Sequence, residues 1–210
     1  MKLYVWNLED SVTNLIKFCK EKGINEVFIT NLDTDILCSL NKAGIKPFFI
    51  YGTQFEKEDK NAFSFLKEVY QSFPFAGIHL DIELKSWKNF FPYRKFIKNL
   101  IKHLQQDNIP IDCDINPLMS WLLMLNCPIT IMAYSNTIHG VINKVKLSYK
   151  NKYPFSVAVE TQNIQPSNIT FYGTSMPFFD LALQSIYNFF FHGDLDSIAV
   201  HYYKSYKELK

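Results

Sequence analysis

The sequence predicts an α/β fold: one compact (β/α)8 (TIM) barrel of eight parallel strands, covering residues 1–210 as a single domain, with a short or missing last helix. Three observations carry that expectation. Short β-rich runs recur eight times along the chain. The segments between them are long enough for the helical crossovers that parallel pairing requires. The first strand is followed by Asn7-Leu8-Glu9-Asp10, not by the glycine-rich phosphate loop that commonly opens a doubly wound sheet. Eight repeats in one domain then favour closure over an open sheet.

Strands are expected at Lys2–Trp6, Glu26–Thr30, Lys46–Tyr51, Gly77–Asp81, Ile111–Ile115, Ile129–Met132, Ser156–Val159 and Ser197–His201. Between the first two, Ser11–Lys22 places Val12, Leu15, Ile16 and Cys19 on one helical face. It stops at Gly23, a residue that takes the left-handed cap conformation cheaply. Thr34–Ala43 ends the same way before Gly44. Longer helical patterns cover Glu58–Phe73, Tyr93–Gln106, His139–Tyr149 and Phe178–Phe191, and a weak one follows Pro117. Only Lys204–Lys210 remain after the last strand, enough for a stub.

Composition narrows the function classes. Hydrophobic residues make up 48% and charged residues 20% of 210, which suits a chain that buries a core. The net charge of +2, spread over scattered lysines, gives no reason to expect nucleic acid or an anionic membrane as partner. No stretch reaches the ~20 apolar residues of a membrane span. Met1–Asn7 reads as a strand and turn, without the apolar region of a secretory signal. The protein is therefore expected in the cytoplasm as written, or secreted if a leader lies outside this sequence. Cys19, Cys38, Cys113 and Cys127 show no CxxC spacing and lie in apolar segments, which favours buried thiols over disulfides or metal ligands. No cofactor is expected, and a monomer is.

The strongest local signal is in the fourth strand. Side chains alternate along a strand, so Ile78, Leu80 and Ile82 should pack under helices while His79, Asp81 and Glu83 point to the barrel axis. Three ionisable groups on one inward face are costly unless they pair or function. Barrel enzymes place catalytic groups at the C-terminal ends of their strands. The alternative is a buried polar network that merely fills the barrel. Other strand ends add Asp114 and Asn116, Met132 and Tyr134, Glu160 and His201, while Trp6 and Tyr51 close the first and third strands. Singly, Met132 reads as filler, His201 as a core histidine, and the two rings as plugs. Together they describe an acidic pocket walled by aromatic rings, suited to a small-molecule or oligosaccharide substrate, and glycoside hydrolysis needs paired carboxylates.

Ala76-Gly77-Ile78-His79-Leu80-Asp81-Ile82-Glu83 resembles the fourth-strand signature of family 18 glycoside hydrolases, the chitinase family, which reads D-G-x-D-x-D-x-E. Gly77, Asp81 and Glu83 match; Ala76 and His79 depart. Met132-Ala133-Tyr134-Ser135 is similar to that family's M-x-Y-D, with Ser135 in place of the aspartate. The chain also resembles a group of bacterial barrel proteins that share segments like Gly77–Glu83, Ile131–Tyr134, Val159–Thr161 and His201–Tyr203, which supports the fold but supplies no reaction. The chitinase resemblance implies Glu83 as general acid and Asp81 orienting a substrate acetamido group that serves as internal nucleophile, with Tyr134 hydrogen-bonded to it. Glu83 would need a raised pKa, which repulsion from Asp81 can supply.

Many retaining barrel glycosidases are similar in carrying acid/base and nucleophile on the fourth and seventh strands, which implies Glu83 paired with Glu160, although Ile82 stands where an asparagine commonly precedes the acid. Trp6, Tyr51, His79, Asp114, Asn116, Met132 and His201 are the candidate substrate contacts. Two other readings stand beside the hydrolase. Ala76, His79 and Ser135 favour a degenerate barrel that binds carbohydrate without cleaving it. A metal-dependent hydrolase would use His79, Asp81, Glu83, Asp114 and His201. Leu80–Lys85 is similar to strands of glycerophosphodiester phosphodiesterases, but Val5-Trp6-Asn7 lacks their His-Arg pair, and no HxH or HExxH spacing occurs.

Overall fold

The fold is set by eight strands hydrogen-bonded in sequence order into one closed, all-parallel barrel. A computed structural model describes residues 1–148, 153–190 and 193–209. The strands are β1 (Lys2–Val5), β2 (Glu26–Ile29), β3 (Lys46–Phe55), β4 (Gly77–Leu84), β5 (Ile111–Ile115), β6 (Ile129–Met132), β7 (Phe155–Glu160) and β8 (Leu195–His201). The helices are α1 (Val12–Glu21), α2 (Thr34–Lys42), α3 (Ala62–Ser72), α4 (Phe90–Gln106), α5 (Ser120–Leu123), α6 (Ile138–Ser148), α7 (Met176–Phe190) and α8 (Tyr203–Lys207). The expected α/β barrel is the observed one, and the last helix is a five-residue stub. The expected ends of the sixth and seventh helices, at Tyr149 and Phe191, lie outside the described residues.

Local chemistry accounts for the helix ends. Ser11 accepts from the Asn14 amide and Asp33 from those of Asp35 and Ile36, satisfying donors that open α1 and α2. Gly23 and Gly44 follow those helices at φ +65° and +80°.

Strand parity then divides the side chains. Leu3, Val5, Val27, Ile29, Ile78, Leu80, Ile82, Ile129, Ile131, Val157 and Val159 join the core between barrel and helices. Inside the barrel, a small cluster of Tyr4, Phe28, Ile50, Ala158 and Ala199 is flanked by Trp6, Phe48 and Tyr134. Buried Cys19, Cys113 and Cys127 belong to the outer core, whereas Cys38 is half-buried. No helix among the described residues is long and apolar enough to cross a membrane.

Two features matter for the site. First, β3 and β4 run on past their expected ends and stay paired from Phe48↔Gly77 to Phe55↔Leu84, which carries Gln54 and Glu83 above the barrel rim. Second, the N-terminal end of the barrel is closed by charge. The Lys2 ammonium sits 2.7 Å from Asp112, 3.5 Å from Glu26 and 3.4 Å from Asp196. Thr130 donates its hydroxyl to Asp112.

Gly77 starts β4 where no side chain fits, since a Cβ there would lie 2.5 Å from the Phe48 ring and 2.7 Å from the Pro110 carbonyl oxygen. Gly77→Ala should therefore cost about 1–3 kcal/mol, the usual range for overpacking. Urea denaturation should show a lower midpoint at unchanged slope, and an unaltered midpoint would refute this account of the glycine.

Candidate active site

Three layers of side chains fill the barrel from the closed end to the open one. Above the Lys2–Asp112 pair lies a layer built on Tyr4, Phe28, His79 and Asp114. The His79 ring stacks flat on Phe28 (centroids 3.8 Å apart, planes at 14°) and stands edge-on to Tyr4. Its Nε2 is 3.1 Å from Asp114 Oδ2, close enough for charge contact. The N–H is not aimed along that line, so neither ring nitrogen makes a hydrogen bond. The Tyr4 hydroxyl donates to Asp114 Oδ1 at 2.5 Å. Burial opposes a charge on His79, but the carboxylates of Asp114, Asp112 and Asp81 outweigh it and raise the imidazole pKa. His79, Asp112 and Asp114 are each at most 4% exposed.

The third layer opens to solvent. A cavity of about 370 Å³ is lined by Trp6, Gly52, Thr53, Gln54, Asp81, Glu83, Asp114, Met132, Tyr134, Gln162 and His201. That is the lower end of the size range for a small-molecule site, at the strand ends where barrels carry their chemistry. Asp81 is half-buried in its floor, and its Oδ1 has no hydrogen-bond partner. Burial above all, then the charges of Asp114 and Glu83, raise its pKa to about 7, against the opposing pull of His79 and His201. Two residues on, Glu83 is exposed at the rim. Burial and nearby carboxylates keep the Tyr134 phenol protonated well beyond its ordinary range, so Tyr134 is a donor to whatever enters.

On the wall opposite β4, the Trp6 indole donates to His201 Nε2 at 2.7 Å. His201 Nδ1 lies 2.6 Å from Glu160 Oε2. Glu160 Oε1 accepts the backbone amides of Thr161 and Gln162 at 2.7 and 2.6 Å.

The cavity therefore unites Trp6, Asp81, Glu83, Asp114, Met132, Tyr134 and His201. Four other candidates are elsewhere. Tyr51 was expected at the mouth, but β3 presents Ile50 and Gly52 inward; Tyr51 leans on Phe65 outside the barrel and donates to Asp59 at 2.8 Å. Asn116 is exposed, and its side chain caps the turn at Pro117–Met119 by accepting the Leu118 amide. His79 is sealed beneath the floor rather than open to a guest. Glu160 is 1% exposed, with both oxygens engaged by protein donors, so it is not free to attack a substrate. Gly52, Thr53, Gln54 and Gln162 were not anticipated. The first three come from the extension of β3, and Gln162 from a loop with no periodicity to read.

Among the described residues no group of three or more His, Cys, Asp or Glu side chains is placed to hold a metal ion. A larger hollow, about 550 Å³, lies near the closed end beside Glu21, Lys22, Asp180 and Asp196. Two of its carboxylates are already paired, Asp180 with Lys22 at 2.9 Å and Asp196 with Lys2 at 3.4 Å. Chemistry is better sought at the mouth, where Asp81 is unpaired.

Solved structures that resemble this one include enzymes of differing chemistry. The spore cortex-lytic enzyme SleL of Bacillus megaterium QM B1551 superposes with a TM-score of 0.60 at 9% identity, over 96% of this chain and 69% of that one. The glycoside hydrolase domain of PelA from Pseudomonas aeruginosa gives 0.55 at 8% identity, over 95% and 94%. The YdjI aldolase of Escherichia coli K12 gives 0.54 at 12%, over 95% and 73%. At such identities the likeness establishes the fold and nothing finer. No protein-family model and no curated protein matches the chain.

The perturbed carboxyl has a stability signature. Asp81 holds its proton to about pH 7 in the folded chain, against an unfolded value of about 3.9. The native state thus binds more protons between those values, and stability should fall as pH rises through that window. Asp81→Asn removes the penalty. It should be more stable than the parent at pH 8, by on the order of 2–4 kcal/mol, with the gap closing toward pH 4. Urea melts at pH 4, 6 and 8 measure this; a gap that does not depend on pH would contradict it.

Proposed function

We propose that the barrel mouth binds a pyranose bearing an acylamino group and that the protein hydrolyses the glycosidic bond of that residue. What supports the reading is the Asp81–Glu83 pair. The two carboxyl groups share the inward face of β4 at the open end of the barrel, and both residues line the cavity.

The roles follow from position. Glu83, at the rim, gives its proton to the leaving oxygen as the bond to the anomeric carbon breaks. The acylamino carbonyl oxygen bonds to that carbon from the other side. Asp81 accepts the amide N–H, which strengthens the carbonyl as nucleophile, and Tyr134 donates to the group it holds. Water then attacks the anomeric carbon, its proton passing to the Glu83 carboxylate, and the acylamino group is restored. This route needs no second protein nucleophile. The occupied state of Glu160 therefore counts against the alternative in which Glu160 attacks the sugar.

Chromogenic glycosides of chito-oligosaccharides, with cello-oligosaccharide glycosides as acylamino-free controls, test the proposal. Cleavage should be confined to the acylamino substrates. Glu83→Gln should lower turnover by about 10²–10⁴-fold while circular dichroism and ligand affinity stay near the parent's. Undiminished turnover in that variant would refute the mechanism. Binding without turnover in the parent would leave a carbohydrate-binding barrel instead.

A further inference from the structure

Glu160 and His201 are conspicuous acidic and basic groups at the mouth, yet their hydrogen bonds run along the wall. A tryptophan indole has one N–H and no acceptor, so His201 Nε2 must be the unprotonated nitrogen that accepts it. The imidazole proton is then on Nδ1, where Glu160 Oε2 receives it at 2.6 Å. Glu160 is itself fixed by the amides of Thr161 and Gln162. The chain of donors runs in one direction, from the indole through the imidazole to a carboxylate clamped by backbone.

The indole's far edge is equally confined. A Cβ on Gly52 would lie 2.8 Å from two atoms of the Trp6 six-membered ring, so the ring lies directly over the β3 backbone. Trp6 is thus gripped at its nitrogen and wedged at its benzo edge, and it lines the cavity together with Asp81.

We propose that Glu160 and His201 are positioning residues whose role is to hold Trp6 as a rigid stacking wall for the sugar ring, making Trp6 the residue that selects a flat apolar pyranose face. The stacking part rests on the carbohydrate reading above; the restraint of the indole does not. A fixed aromatic surface loses little conformational entropy on binding, and a freely rotating one loses more.

The restraint predicts transmission across two hydrogen bonds. Glu160→Gln keeps an oxygen for the Thr161 and Gln162 amides but turns an amide N–H toward His201 Nδ1. The imidazole must then move its proton to Nε2, which faces the Trp6 indole with a second donor and breaks that bond. His201→Phe removes the acceptor at similar ring size and serves if the first variant folds poorly.

Proton–nitrogen correlation spectra test the indole directly. The chain has three tryptophans, and Trp6→Phe assigns the Trp6 signal. In Glu160→Gln and in His201→Phe that signal should move upfield. Binding of N-acetylglucosamine trisaccharide and cellotriose is then followed by calorimetry. Affinity for the bound sugar should fall about tenfold in each variant, the worth of one hydrogen bond. Added to Trp6→Phe, Glu160→Gln should cost less than about twofold more, because its effect passes through the indole. On a cleaved substrate, Glu160→Gln should raise KM while kcat stays within about tenfold. An unmoved indole signal, additive losses in the double variant, or a kcat collapse of about 10³-fold at constant KM would overturn the proposal. If neither sugar binds the parent while the indole signal moves, the carbohydrate reading and the stacking role fail and the restraint stands.

Discussion

A closed eight-stranded barrel must fill its own axis, and this chain fills much of it with charge. Lys2 and Asp112 face each other at 2.7 Å at the closed end, and His79 and Asp114 at 3.1 Å one layer higher. Isolated, any of these would carry a desolvation cost of several kcal/mol. Pairing offsets that cost, and hydrogen bonds from Thr130 and Tyr4 satisfy the Asp112 and Asp114 carboxylates further. The third layer holds Asp81, whose Oδ1 has no protein partner. Its raised pKa follows from that position, first from its burial and then from the neighbouring charges of Asp114 and Glu83.

His79 takes its meaning from the same arrangement. A carboxylate at that position would add a third negative charge beside Asp112 and Asp114. With histidine there, the ring gains dispersion energy against Phe28 and Tyr4, and its protonated form balances Asp114. The departure from the chitinase-like pattern therefore changes how the site is tuned while leaving the geometry of Asp81 and Glu83 on β4 in place.

Much of this was legible in the sequence because period-two alternation survives in β4, where Ile78, Leu80 and Ile82 separate the polar positions as cleanly as the barrel separates its faces. The strand–helix alternation was legible for the same reason. Tyr51 was misplaced because aromatic character at a strand end says nothing about parity, and the extension of β3 through Gly52 is imposed by pairing with β4, a non-local fact. Asn116 was misplaced because its side chain serves the next turn. Gln162 and the engagement of Glu160 could not be read at all, since both depend on how the segment after β7 folds back. Glu160 illustrates the general difficulty: position at a strand end identifies a candidate, but only its hydrogen bonds say whether its lone pairs are free.

The resemblance to SleL, PelA and YdjI sharpens that distinction. A cortex-lytic enzyme, a glycoside hydrolase domain and an aldolase superpose on this chain about equally well, so the backbone alone cannot choose among their chemistries. The choice falls to side chains that the barrel places but does not dictate. Asp81 and Glu83 are placed by β4 against the cavity, Trp6 is held by a relay that ends in backbone amides, and Tyr134 is kept as a donor by its burial and the carboxylates around it. Each of these follows from the partners a side chain lacks or has, and together they describe a surface that offers acceptors to N–H groups, a donor to a carbonyl and a flat face to a ring. An acylated amino sugar presents that complement in one residue, so the proposed specificity lies in the pocket rather than in the fold.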